Sequence, residues 1–94
     1  MLRTRVTPGN NPQVVAVSSS STQSTAFAAG SHYARLVSTV NCYVAFGTNP
    51  TATSSSLYMV ANVPEFFGIT PAQKVAVLRV SGDGSLSVVE GTAL

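Results

Sequence analysis

An all-β fold, a small antiparallel sandwich or barrel of about seven short strands with an extended N-terminal arm, is what this chain of 94 residues predicts. Three observations carry the reading. Apolar residues recur with a period of two and are often β-branched or aromatic. Gly, Pro and Asn interrupt the chain too often for any helix of about 10–12 residues to survive. Polarity is supplied by Ser and Thr rather than by charge: only 9% of residues are charged, against about 25% in ordinary soluble domains, and hydroxyl side chains suit pleated strands and turns better than helix interiors.

Residues 1–12, MLRTRVTPGNNP, read as an arm, because two prolines, a glycine and two asparagines in its second half oppose regular structure. Arg3 and Arg5 are two apart and share a side if the arm is extended, which makes them candidate partner contacts. Residues 13–94 then form a single β domain. Its first strand is the valine-rich 13–17, followed by the polar tract SSSSTQST over 18–25, a flexible loop or an exposed edge. Residues 25–29 are a weaker strand candidate, and Gly30-Ser31 breaks the chain.

The organising stretch is YARLVSTVNCYVAFG, residues 33–47. Ala34, Leu36 and Ser38 alternate with Tyr33, Arg35 and Val37, and Cys42, Val44 and Phe46 with Tyr43 and Ala45. The pattern predicts strands over 33–38 and 42–47 joined as a β-hairpin. TNPTATSSS, residues 48–56, lacks any large apolar side chain and predicts an exposed tip, with Asn49, Pro50, Thr51 and Thr53 as its candidate recognition residues. Strands follow over 57–60 and 65–69. Pro64, which has no amide donor, stands where a strand begins or an edge runs. Phe66 and Phe67 are adjacent, so they face opposite ways on a strand, and one of them lies outside the domain's own core as a candidate oligomer contact.

Thr70-Pro71-Ala72-Gln73 is a turn, and 74–80 is a strand apolar on both faces, which places it between layers or shares it with another subunit. Ser81-Gly82-Asp83-Gly84-Ser85 predicts a second hairpin turn whose glycines take positive φ, leading to a last strand over 85–90. Connections this short join neighbours as an antiparallel meander.

The chemistry-bearing residues are few and scattered. One histidine, one cysteine and three acids leave no metal-ligand cluster, no nucleophile with its base and no paired carboxylates, so neither catalysis nor a cofactor is expected. His32 reads as a turn histidine and Cys42 as a small buried hydrophobe without a charged neighbour to activate it. Asp83 resembles one position of a calcium loop, but the ligands that should follow are missing. A net charge of +2 is too thin and dispersed for a nucleic-acid groove, and the aromatics lack interleaved cations for base stacking. No apolar run approaches the roughly 18–20 residues of a membrane helix. The basic start lacks the apolar core of a signal peptide, so synthesis in the cytoplasm is expected. A lone core of this size is marginal, and one cysteine permits no internal disulfide, which leaves association with other chains as the stabilising device.

Over residues 33–90, the succession VSTVNCYVAFG, NPTAT, VPEFF, TPAQKVAV and SGDGSLSVVE resembles a set of small bacteriophage virion proteins. The resemblance implies a noncatalytic virion structural protein, made in the host cytoplasm and located in the particle: a capsid decoration or cement protein, acting as a homo-oligomer with a trimer favoured and bound to the major capsid protein. Its alternative is a head–tail, collar, tail or fibre-associated adaptor contacting other virion proteins. A carbohydrate-binding module is the lesser alternative, and it requires exposed aromatics beside polar side chains. The arm lies outside the resemblance.

Overall fold

A computed structural model describes residues 12–92 of the chain. The arm and its two arginines, Arg3 and Arg5, therefore lie outside the described residues, Pro12 excepted. Eight strands are present: β1 (Gln13–Val17), β2 (Thr22–Gln23), β3 (Tyr33–Ser38), β4 (Cys42–Gly47), β5 (Leu57–Met59), β6 (Glu65–Gly68), β7 (Lys74–Arg79) and β8 (Gly84–Gly91). No helix occurs among the described residues. Seven strands coincide with the expected runs to within a residue or two. The eighth is β2, a two-residue edge strand inside the serine tract, so the edge alternative is the one realised there. Residues 25–29 form no strand, although Phe27 N–H donates to the Gln73 carbonyl (2.8 Å) and Ala72 N–H to the Phe27 carbonyl (2.9 Å), prolonging the line of β2 beside β7.

The strands form two four-stranded sheets, in the orders β1-β8-β3-β6 and β2-β7-β4-β5. All pairs are antiparallel, and β1 pairs β8, β2 pairs β7, β3 pairs β6 and β4 pairs β5. The whole domain is thus one long hairpin whose tip is the 48–56 loop. Rolling that hairpin around the core brings β3 against β8 and β4 against β7. This is a jelly roll, and it replaces the expected meander.

Both expected local hairpins are corrected by this topology. β3 and β4 lie in different sheets, as do β7 and β8, so 39–41 and 80–83 are corners that cross between layers. The Ser38 hydroxyl donates to the Val40 carbonyl (2.6 Å) and accepts from the Val40 amide (3.2 Å), tying the first corner. Val80 N–H donates to the Asn41 carbonyl (3.1 Å), which sets the second corner beside it. Neither Gly82 nor Gly84 takes positive φ; among the described glycines only Gly30 does, at 88°. The 70–73 turn is as expected: Gln73 N–H donates to the Thr70 carbonyl, with Pro71 first and Ala72 at φ 73° second, a type II turn.

Alternation places the core. Val15 and Val17, Ala34 and Leu36, Cys42 and Val44, Val75 and Val77, and Leu86 and Val88 meet between the sheets, joined by Phe27 and Met59. Fully burying a large apolar side chain stabilises by about 1.5–3 kcal/mol, so Leu36, Leu86 and Met59, none of them exposed, are principal contributors. Phe46 of one sheet stands 5.2 Å from Phe67 of the other and 6.5 Å from Phe27, an aromatic bridge across the layers. As expected for a strand between layers, β7 buries Val75, Ala76 and Val77 on both faces.

Candidate interaction surfaces

The polar groups that carry chemistry elsewhere serve the scaffold here. His32 is exposed, and its backbone is used: its N–H donates to the Gly91 carbonyl (2.9 Å), and its carbonyl accepts from Ile69 N–H (3.0 Å). Asp83 pairs with Arg79 in the exposed β7–β8 corner. Glu90 follows the parity of Leu86 and Val88 and is fully buried. Its Oε1 accepts from the Ala28 amide and from the Ser31 hydroxyl, each at 2.7 Å. Among the described residues no three His, Cys, Asp or Glu side chains converge.

The two sheets present different outer faces. Across the β2-β7-β4-β5 sheet, Ala45, Ala76 and Gln23 form one row. The Gln23 amide donates to Asn49 Oδ1 and to the Pro50 carbonyl (both 2.8 Å), and Ser21 Oγ accepts from Ala52 N–H (2.9 Å). These bonds lay the long tip back across β2, and the small alanines beneath leave room for it. Pro50 and Ala52 are consequently buried, whereas Asn49, Thr51 and Thr53 are exposed. The expected exposed tip is corrected at Pro50. Beyond the loop, Tyr43 and Tyr58 stand 5.9 Å apart at 67°. Rings so inclined offer no common flat platform to a sugar chain.

No such loop crosses the β1-β8-β3-β6 sheet among the described residues. Val14 on its edge is 75% exposed and Phe66 on the opposite edge 55%. Of the phenylalanine pair, Phe66 is the one outside the core, in tilted contact with Tyr33 at 6.1 Å, while Phe67 turns inward. Leu57, Tyr58, Val60 and Val63 are also exposed. With Phe66 they occupy ten consecutive residues along the flank where edge strands β5 and β6 meet. No ionisable group lies between Gly47 and Glu65 except Tyr58. An uncharged flank with two short open edges is poorly defended against association.

Cys42 belongs to the interior. It is fully buried, and burial pushes its thiol above the ordinary value of 9.0, with the Ser38 hydroxyl pulling it partly back and Glu65 pushing it further up. In the unfolded chain the thiol ionises at that ordinary value. Its contribution to stability is therefore intact below about pH 9 and is lost as pH rises toward the folded value. Thiol reagents are expected to leave the native protein unlabelled and to label it fully in urea. The alkaline loss of stability should disappear in Cys42→Ala, and rapid labelling of the native protein at pH 8 would contradict the assignment.

The chain matches no protein-family model, no curated protein and no solved structure.

Proposed function

We propose that the chain is a noncatalytic structural protein of a bacteriophage particle that decorates the outer shell and associates with copies of itself. The jelly roll is an architecture that virus capsid domains share with lectins and cupins, so fold alone does not choose among them. Composition of the interior and surface supports the choice. The interior is filled with Val, Leu, Met, Phe and Cys, and its buried Ser38 and Glu90 are spent on holding corners and crossings. The observation that carries the reading is what remains outside: among the described residues, seven large apolar side chains are exposed on a jelly roll that already has its own apolar core. The likeness of residues 33–90 to small virion proteins points the same way.

Self-association follows from the β5–β6 flank, and a trimer is the favoured state. Native mass spectrometry and sedimentation should give a stable oligomer, and Leu57→Lys with Tyr58→Lys should shift it to a folded monomer of lower melting temperature, because the stabilisation supplied by association is lost. Purified particles of the virus that encodes the chain should contain it in stoichiometric amount, and shells emptied of nucleic acid should retain it. Recovery only from the soluble fraction of infected cells overturns the reading. Retention on isolated tails rather than on shells would instead identify an adaptor.

A further inference from the structure

We infer that the outer face of the β1-β8-β3-β6 sheet docks on the shell protein, through an apolar surface on the shell that presents an aspartate or glutamate to Arg35. The inference rests on the virion reading above and names the partner chemistry of a sheet face that adjoins the self-associating flank at Phe66.

Register makes this face continuous. Arg35 of β3 lies between Phe66 of β6 and Val89 of β8, and Val37 lies beside Ser87, which lies beside Val14 of β1. Side chains two apart on a strand share a face, so Tyr33 and Val37 adjoin Arg35 along its own strand. Half-buried Arg35 therefore stands among the exposed Phe66, the half-buried Val37 and Val89 and the buried Tyr33. Among the described residues it has no ion pair, since the one salt bridge there joins Arg79 and Asp83. Arg35 is also the only charged residue at the outward positions of the four strands.

An isolated cation within an apolar face selects its cover. Burying it against apolar surface alone leaves an unpaired charge, which is strongly unfavourable, whereas a carboxylate received bidentately by the guanidinium offsets its desolvation. A second copy of this chain is a poor donor of that carboxylate. Face-to-face packing about a twofold axis brings together two copies of a face that carries a cation and no outward carboxylate. The chain has three acids: Glu90 is buried, Asp83 is already paired, and Glu65 is half-buried at the opposite parity of β6 from Phe66. Charge complementarity thus favours a different polypeptide.

The experiment uses full-length chain expressed during infection and purified virus particles. Arg35→Glu and, separately, Val14→Lys are compared with wild type for copies per particle, with oligomer mass and melting temperature measured on the same variants. Val14 is 75% exposed and Arg35 half-buried on the outward parity of β3, so folding should be kept, and the melting temperature checks it. The expected result is about a tenfold or greater loss of occupancy with mass and melting unchanged. Photo-crosslinking from p-benzoylphenylalanine at position 14 should capture a shell-protein peptide, and from position 53 it should not. Unchanged occupancy of both variants, or crosslinks from position 14 only to this chain, its own arm included, overturns the inference and leaves the virion reading standing. Absence of the wild-type chain from particles overturns both.

Discussion

Replacing Glu90 by alanine is expected to cost about 4 kcal/mol of folding stability, a large part of the 5–15 kcal/mol that a domain typically has. The carboxylate is the acceptor that holds the 24–32 crossing to β8, and it does so by bonding the Ala28 amide and the Ser31 hydroxyl. Removing it leaves two donors short of a partner, the Ser31 hydroxyl buried and the Ala28 amide partly buried, and each such orphan costs about 1–3 kcal/mol. The cavity adds to this. Phe27, adjacent to Ala28 and 3% exposed, then keeps only its backbone bonds to Ala72 and Gln73 as anchors, so the damage spreads into the core. Two companion variants separate the causes. Glu90→Gln keeps an acceptor oxygen and should cost only about 1–2 kcal/mol, because the amide oxygen can still accept from the Ala28 amide and the Ser31 hydroxyl. Glu90→Leu keeps the volume and loses both acceptors, and should fall close to the alanine variant. Urea unfolding and exchange of the Ala28 amide are the measurements. If alanine and wild type unfold within a few tenths of a kcal/mol, with the Ala28 amide equally protected, Glu90 does not clamp the crossing.

Glu90 shows what a period-two pattern does and does not carry: its strand end is readable from the sequence, whereas its role as a clamp came only with the structure. Leu86, Val88 and Glu90 share a parity, so a buried carboxylate follows from alternation alone once β8 is recognised as a strand. The same pattern separated the two faces of β3 and β4 and gave the two-sided burial of β7. It failed at the connections. A strand that faces the core looks identical in sequence whether the next strand lies beside it or across from it, because both arrangements demand the same inward residues. The residues 39–41 and 80–83 have ordinary turn chemistry, and only the partners of β3 and β8, some fifty residues apart in sequence, make them corners.

β2 illustrates the complementary limit. Thr22 and Gln23 carry no apolar signal, and their pairing with Val77 and Ala76 is imposed by β7, whose apolar residues need cover on both sides. Nothing local distinguishes Gln23 from the serines and threonines around it, yet its amide fastens the 48–56 tip and buries Pro50. Loop recognition residues inferred from polarity are therefore sorted only by such long-range bonds. Asn49, Thr51 and Thr53 remain available at the surface, and Pro50 does not. Phe66 and Phe67 were separable as a pair by strand parity, but which of the two turns outward depends on the register of β6 with β3. Because nearly every pair in this topology joins distant segments, folding should be slow for its size. Flank and sheet face then become recognition surfaces only after the whole hairpin has rolled.

Gly84→Ala is expected to destabilise by about 2–4 kcal/mol while Gly82→Ala, two residues earlier, is neutral or slightly stabilising. A hairpin with positive φ at both glycines predicts comparable losses at the two positions, so the pair of variants discriminates between the local and the rolled connection. Neither glycine needs a left-handed conformation, and a Cβ on Gly82 meets nothing within 4 Å. On Gly84 it falls 2.4 Å from Thr39 Oγ1 and 2.9 Å from both Val40 methyls. Rotation offers no easy escape, because Val40 is β-branched and exchanges one methyl for another. Turning the Thr39 hydroxyl away also gives up its bond from the Ser85 amide, 3.0 Å in the native fold. The 39–41 corner must then part from the start of β8, although Thr39 N–H also holds the Ser85 carbonyl at 2.9 Å. Removing the obstructing atoms tests the cause: Thr39→Ala with Val40→Ala, destabilising alone, should recover most of the Gly84→Ala loss in the triple variant, a departure from additivity of 1 kcal/mol or more by rough estimate. Strict additivity in thermal and urea unfolding would show that the two corners do not meet at Gly84.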